Sequence, residues 1–546
     1  MALNLTASQQ SLQSIFNNGL GYIIPNYQRP YSWDYDQCAQ LYSDIKQAYD
    51  EGQEYFVGSI LLAKSNVDKK RPRVVDGQQR LLTLWLMFKL MHLFYPELND
   101  LKTVVAIPAR EGDATFPKLE SEIFESDDPQ EIKRIHGLGL QEIENRYKEV
   151  LDKKGNVRAD RCISRLERNL LYLYSWICHQ QLLWDSAKMK DFVIYTLENV
   201  SILPIELTGS DVNDASDRAL VIFETLNNRG MDLEDADVFK ERLYRKAKNI
   251  NEKDQFVQTW VDLKNAVDGL EMKIDDVFRF YSHVIRGRNN IVYGEISLRQ
   301  FFLYEKYSPL LNKEYKEILD DLYAIVSILQ FLNTALAKGT EVARWLQLIY
   351  AYTNLYPRYV IVCYLFVNGI EAAEKPDFIS LLKSLVRYCY YMGSTTTVKF
   401  RIYEFIKLVV HHQSIGDNRI SGMEERDFDS LGNLKKGFAL LAYVLEGRPS
   451  LPFYSIDQIY IESDIDKYVP MENREVGRGL LNSLGNQVVI DINRRSISYD
   501  KKYLHYQKSN LEEVRQLITD PTYIDLSLIK RRNKEKKKLL LEFFSA

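Results

Sequence analysis

The run from Val74 to Phe94, VVDGQQRLLTLWLMFKLMHLF, constrains the chain most, because a short β-like run, an Asp-Gly turn and a long apolar helix follow without a break. A strand that enters an apolar helix through such a turn has to be packed inside a mixed α/β layer. Upstream, GYIIP and YFVGSILLA add strand-like runs, and KKRPR adds a basic turn. Residues 1 to about 90 therefore read as a small α/β module.

From about 115 to 200 the pattern turns helical, as in LERNLLYLYSWICHQQLLW, and reads as an insertion packed on that module. NVSILPIEL returns to strand character, and a turn at Asn228-Arg229-Gly230 leads to a helix whose entry is marked by Asp232. Residues from about 255 to 445 look almost wholly helical, and short β-like runs such as QVVIDI come back after EGRPSLPFYS. At 546 residues the chain holds material for two to four cores. The expected class is α+β and predominantly helical. Its expected divisions are a domain over 1–250 with an insertion at about 100–195, an all-helical domain over 251–448 and a small domain over 449–546.

The net charge of -4 places any contact with nucleic acid on local patches rather than on the chain as a whole. Two basic runs qualify by composition, Lys69, Lys70, Arg71 and Arg73 before the DGQQR strand and Lys530 to Lys538 near the end. Judged singly, each is ordinary solvated charge. Five widely spaced cysteines without a CxxC pair argue against a disulfide framework or a cysteine-built zinc site, and a reducing cytoplasm fits. No secretory leader is read at the N-terminus and no uninterrupted apolar run of membrane-spanning length, so no membrane association is expected. The 36 tyrosines are the one unusual count.

Three constellations carry chemistry. In IPNYQRPYSW, Gln28 and Arg29 sit among aromatics and prolines that restrict the backbone, so an arginine held there can fork onto a phosphate or carboxylate. In VVDGQQR, the strand-to-helix junction aims backbone N–H groups and a positive helix end at whatever binds. Gly77 permits the turn, Gln78 and Gln79 supply amides, Arg80 adds positive charge, and Asp76 could hold a hydrated metal or a water. In FETLNNRGMDLEDADVFK, Asn227 and Arg229 lie in the turn opened by Gly230, while Asp237 and Lys240, three apart on the next helix, read by themselves as a solvated surface pair. Bland readings stand beside the first two: a proline-rich turn closing a core, and a turn with a structural Asp–Arg pair.

Taken in order, IPNYQRPYSW, YFVGSILL, VVDGQQRLLTL and FETLNNRGMDLEDADVFK resemble the N-terminal domain family of GmrSD restriction endonucleases, strongly over about the first 245 residues. The resemblance implies a ParB- and sulfiredoxin-like nucleotide-binding fold. It also implies that Gln28, Arg29, Asp76, Gly77, Gln78, Gln79, Arg80, Asn227, Arg229 and Lys240 line one pocket. Within it Asp76, Gln79 and Arg80 would be catalytic, with Asp76 supporting Mg²⁺ beside a nucleoside triphosphate.

The family's second domain is an HNH-type ββα nuclease with a Glu-His-Ile-x-Pro strand followed by LGNLTLL. Leu484, Gly485 and Asn486 stand in place of LGN, and Asn493 stands for a later asparagine. The stretch YIESDIDKYVP, set against the histidine strand, puts Ser463 or Asp464 where the general base belongs, and serine cannot serve as that base at neutral pH. His411-His412 and His505 are the displaced alternatives. An inactive nuclease scaffold is expected, in a defence protein that binds and hydrolyses triphosphate while sensing DNA or a partner effector subunit, with assembly into an oligomer open. The competing readings are a non-catalytic sensor that recruits an effector through the Tyr-rich helices, and an active nuclease with a displaced histidine.

Overall fold

The computed structural model describes residues 4–65, 71–108, 115–124, 126–210, 214–216, 218–219, 234–292, 294, 296–392 and 395–545. They form a mostly helical α+β protein with a mixed sheet near the N-terminus, divided into two compact units, Met1–Arg245 and Lys246–Ala546.

In the first unit the strands are β1 Asn4–Ala7, β2 Gln10–Ser11, β3 Tyr22–Ile24, β4 Tyr55–Ser65, β5 Arg73–Asp76, β6 Ala106–Pro108, β7 Thr115–Pro117, β8 Leu119–Ser121 and β9 Val200–Gly209. The helices are α1 Leu12–Phe16, α2 Tyr35–Asp50, α3 Gln78–Phe94, α4 Asn99–Val105, α5 Asp128–Gly137, α6 Leu140–Val150, α7 Arg165–Leu183, α8 Ser186–Glu198 and α9 Asp235–Lys246. The sheet runs β1-β9-β4-β5-β3-β8, with β2 also on β9. β4 and β9 pair in parallel, as do β3 with β5 and β3 with β8, while β4 and β5 are antiparallel. The expected insertion is thus not only helical, because β8 leaves it to join the sheet. A parallel pair needs a long crossover, and the insertion supplies it between β4 and β9.

α3 is apolar on every side, and Leu81 through Met91 are all buried. Its indole at Trp85 donates to the Val105 carbonyl (3.0 Å). The core spreads from α3 to α1, α4, α7 and α8, with Phe16, Phe88, Leu101, Leu170 and Phe192 among its members.

The second unit is helical from Ile250 to Leu445. One of its helices, Tyr315–Leu336, is long and apolar enough to cross a membrane by length and composition, which the reading of the sequence did not anticipate. Half of that apolar window is buried, with Ile318, Leu322, Ile325 and Leu329 turned inward as in any core helix. Strands β10 Ser455–Gln458 and β11 Gln487–Ile490 form an antiparallel pair, followed by the helix Tyr499–Tyr506. The last helix, Leu526–Ser545, packs so closely against Gly485 that a Cβ there would lie 2.1 Å from the Ile529 carbonyl oxygen.

Candidate functional site

Two of the three N-terminal constellations are joined by glutamines. Gln28, buried in the loop after β3, donates from Nε2 to the Val75 carbonyl on β5 (2.9 Å). Gln79, in the first turn of α3, accepts at Oε1 from the Ser32 N–H (2.7 Å) and the Trp33 N–H (3.2 Å), and donates from Nε2 to the Pro30 carbonyl (3.2 Å). The loop that carries Arg29 is thereby clasped to the turn that carries Asp76 and Gly77. The insertion grips the same loop from behind. Asp128 of α5 accepts from the Tyr31 N–H (2.6 Å), and Asn169 of α7 donates to the Trp33 carbonyl (2.8 Å).

The DGQQR turn itself is tightly specified. Gly77 has φ +90°, and a Cβ there would lie 2.5 Å from Cγ2 of Ile60, so both backbone and space require glycine. The N-cap residue of the helix is thus a glycine, which offers no side-chain oxygen of its own to the first turn. The positive end of α3 lies at this turn. Arg80 reaches back to β4, where NH1 donates to the Ser59 carbonyl (2.6 Å). A Cβ on Gly58 would stand 3.2 Å from that guanidinium, and the β4–β9 register shifts at the same point, so the bulge makes room for the arginine.

On the other side of the loop lies α9. Arg29 Nε stands 3.9 Å from Asp237 Oδ2, and Lys240 Nζ stands 3.6 Å from Asp237 Oδ1. The expectation of a solvated surface pair is overturned, since the side chains of Lys240 and Asp237 are only 1% and 17% exposed. The Lys240 ammonium also sits over the Phe124 ring (5.3 Å). Asn227 and Arg229 lie outside the described residues.

Tyr27, Glu241 and Arg245 extend the cluster and were missed in the sequence. Arg245 Nε and Glu241 Oε1 are 2.6 Å apart, and burial beside Glu241 pushes the Tyr27 phenol well up. The signal was available: Asp237, Lys240, Glu241 and Arg245 fall at helical spacings of three, four and eight from Asp237.

The basic runs do not stand out as open phosphate tracks. Arg71 pairs with Glu120 and Arg73 with Glu122 (3.6 Å), while Lys69 and Lys70 lie outside the described residues. In the last helix Arg532 and Lys536 donate to the Gln487 carbonyl (3.2 and 2.7 Å), and Lys537 pairs with Asp429. Burial pushes the Lys536 ammonium far down from its ordinary value. Lys530, Arg531, Lys534 and Lys538 are exposed.

In the second unit the strand that pairs with the segment after Leu484-Gly485-Asn486 is β10, not the stretch around Ser463. Ser463 and Asp464 lie in the first turn of the helix Glu462–Tyr468, because Asp464 Oδ2 accepts from the Ile461 N–H (2.9 Å) and caps it. The residue closing the strand is Gln458, so the hairpin strand carries no histidine in this frame either. Asn486 is fully buried, with Oδ1 accepting from the Tyr460 N–H (3.1 Å) and Nδ2 donating to the Tyr460 and Leu481 carbonyls (3.0 and 2.8 Å). His505 Nε2 meets the Asn493 carbonyl (2.8 Å), and His412 Nδ1 meets Asn368 Oδ1 (2.9 Å). Buried Asp457 accepts from Tyr506 (3.0 Å) and lies near Lys502 (3.3 Å) and Arg494 (3.3 Å). Among the described residues no group of three or more His, Cys, Asp or Glu side chains is arranged to hold a metal ion.

Residues 12–244 match the family described as GmrSD restriction endonuclease, N-terminal domain. No curated protein matches the chain.

Proposed function

We propose that this chain, whose residues 12–244 belong to the N-terminal domain family of GmrSD restriction endonucleases, binds a nucleoside triphosphate with Mg²⁺ at the clasp between the two glutamine-joined loops. Family membership of that region suggests a restriction or defence role. The observation that supports the finer reading is the start of α3 at Gly77, held beside the Arg29 loop by Gln28 and Gln79. A helix N-terminus with an arginine held next to it is suited to polyphosphate.

Roles follow from what each side chain already touches. Gln28 and Gln79 are positioning residues, because their amides are engaged with backbone. Gln78 is then the amide assigned to the reacting water. Arg29 and Arg80 would offset phosphate charge, with Lys240 behind Arg29. Asp76 would hold Mg²⁺ through water and phosphate oxygens, as the ion prefers one or two carboxylates in such sites. Asn227 and Arg229 join this list through the family resemblance alone. The ion would supply charge neutralisation on the phosphates.

In the same proposal the C-terminal hairpin is an inactive HNH-like scaffold, and the first domain is ParB- and sulfiredoxin-like. DNA or a partner subunit is the trigger, and the setting is cytoplasmic, which suits five free thiols. A second reading, a sensor that holds triphosphate without turning it over, is favoured by one observation. Gln79 and Arg80, assigned to catalysis from the sequence, both bond backbone carbonyls.

The test is triphosphate binding and phosphate release by the full chain with each of the four ribonucleotides and Mg²⁺, with and without DNA, beside Arg80→Ala. Turnover that disappears in the variant supports the triphosphatase. Binding without turnover supports the sensor, and no binding contradicts both.

A further inference from the structure

Between Pro30 and Trp33 the backbone beside Arg29 is bonded to side chains and, among the described residues, to no neighbouring backbone. Gln79 of α3 holds the Pro30 carbonyl and the Ser32 and Trp33 N–H groups. The other bonds come from the insertion. Asp128 accepts from the Tyr31 N–H (2.6 Å), Arg165 Nη1 donates to the Ser32 carbonyl (3.0 Å), and Asn169 Nδ2 donates to the Trp33 carbonyl (2.8 Å). Arg165 and Asn169 stand four apart, so one face of α7 meets two consecutive carbonyls. A segment bonded within a sheet takes its place from the sheet, whereas this one takes its place from whatever positions those side chains.

What positions them is a group of three helices locked by buried charge. Glu167 of α7, only 1% exposed, accepts from Arg134 of α5 (3.0 Å) and Arg146 of α6 (3.1 Å). Glu131 of α5, buried beside it, accepts from Arg134 (2.8 Å) and from the hydroxyl of Ser164 (2.7 Å), the residue that caps α7. Two buried acids matched by two arginines fix α5, α6 and α7 to one another, because breaking a pair would leave a buried charge unmatched. Asp128 lies three residues before Glu131, and Asn169 two after Glu167, so both reach the loop from within a turn of this centre. A chain of donors also crosses from the insertion to α3. Asn169 Nδ2 donates to the Tyr31 hydroxyl (3.0 Å), which donates to Thr83 Oγ1 (2.6 Å), which donates to the Gln79 carbonyl (2.9 Å).

We propose that the insertion sets the position of Arg29, with Asp128, Arg165 and Asn169 as positioning residues, so that triphosphate affinity follows how α5 and α7 are seated. A loop held by long-range side-chain bonds loosens locally when those bonds go, while the sheet beneath it keeps its ladder. The effect on affinity rests on the triphosphate reading of the clasp, and the hold on the loop does not.

The test pairs amide hydrogen exchange over Tyr31–Trp33 with calorimetric binding of the four ribonucleoside triphosphates and Mg²⁺, both on the full chain. In Asp128→Ala and Asn169→Leu the loop amides are expected to exchange about tenfold faster, beyond any change in β4 and β9, and in Arg165→Ala about threefold faster. Asp128→Asn should exchange as wild type does, because its amide oxygen still accepts from the Tyr31 N–H. Affinity should fall by similar factors in the same variants. Asp128→Ala added to Arg29→Ala should weaken binding no further than Arg29→Ala alone, which a merely destabilising change would not give. If a buried variant fails to fold, exposed Arg165→Ala carries both measurements. Unchanged loop exchange overturns the proposal, as does faster exchange with unchanged affinity in a chain whose wild type binds. A wild type that binds no triphosphate overturns the reading of the clasp instead, and exchange still decides the hold of the insertion on the loop.

Discussion

The N-terminal clasp and the C-terminal hairpin use the same device to different ends. In both, a side-chain amide from a short motif satisfies backbone groups of a distant segment: Gln79 the Pro30–Trp33 loop, Asn486 the strand end at Tyr460 and the turn at Leu481. At the clasp, the amides hold a loop whose arginine is about one-third exposed beside the N-terminus of α3. At the hairpin, the acid Asp457 is covered by Tyr506, Lys502 and Arg494, and the strand ends in Gln458. A motif residue therefore says little until its polar atoms are traced. Chemistry belongs to the groups that the structural bonds leave facing a ligand.

The sharpest way to separate the two regions is to break one at a time. Gly485→Ala sets a Cβ against backbone of the last helix and is expected to destabilise the second unit by about 3 kcal/mol, read as a lower denaturant midpoint. Triphosphate binding should survive in the folded fraction. Asn486→Ala orphans the Tyr460 N–H and removes two further bonds, at a cost of about 2 kcal/mol, with no change in any nucleolytic activity. Nicking by the wild type that is lost in a folded Asn486→Ala would return the hairpin to the active nucleases. Gln79→Leu removes three of the clasp's four glutamine bonds and should cost about as much, while weakening triphosphate binding as well.

The smallest effect is a pH slope in the first unit. Burial lowers the pKa of Lys89 and of Lys118 to about 8, with their ammonium groups donating to the His136 and Thr103 carbonyls. The unfolded chain keeps those protons to about pH 10.4. Between pH 8 and 9.5 the unfolded state thus binds more protons, so stability rises with pH, by at most about 1.4 kcal/mol per unit for each lysine. Unfolding midpoints at the two pH values should differ less in Lys89→Met than in wild type. Equal slopes would remove Lys89 from the account.

Much of the first unit was legible because GYIIP, YFVGSILLA, VVDGQQR and NVSILPIEL are short apolar runs bounded by turns, and each holds a strand. Their order was not. β4 and β9 pair across some 140 intervening residues, and β8 is three residues with no alternating pattern. Local composition carries no record of such long-range pairing. Charged residues misled in a consistent direction. Asp237 with Lys240, and Lys536 with Lys537, read as solvent-facing, yet Lys240 found a carboxylate and Lys536 backbone carbonyls inside, and Lys537 is largely covered while paired with exposed Asp429. YIESDIDKYVP was set against a strand by the family resemblance, and its centre is a helix whose start is capped by Asp464. That Arg29 and Lys240 share a pocket was implied by the family resemblance, whereas the contact of Arg29 with Asp237, more than 200 residues away, came only with the fold.

The central claim is that the clasp presents Arg29 to a triphosphate while Gln28 and Gln79 hold the frame. The most direct test is the affinity of the full chain for Mg²⁺-triphosphate in wild type and Arg29→Ala, with thermal unfolding measured alongside. The account predicts an affinity at least about tenfold weaker at an unchanged melting temperature, as expected for one charge-assisted contact. Unchanged affinity in a folded Arg29→Ala would contradict it.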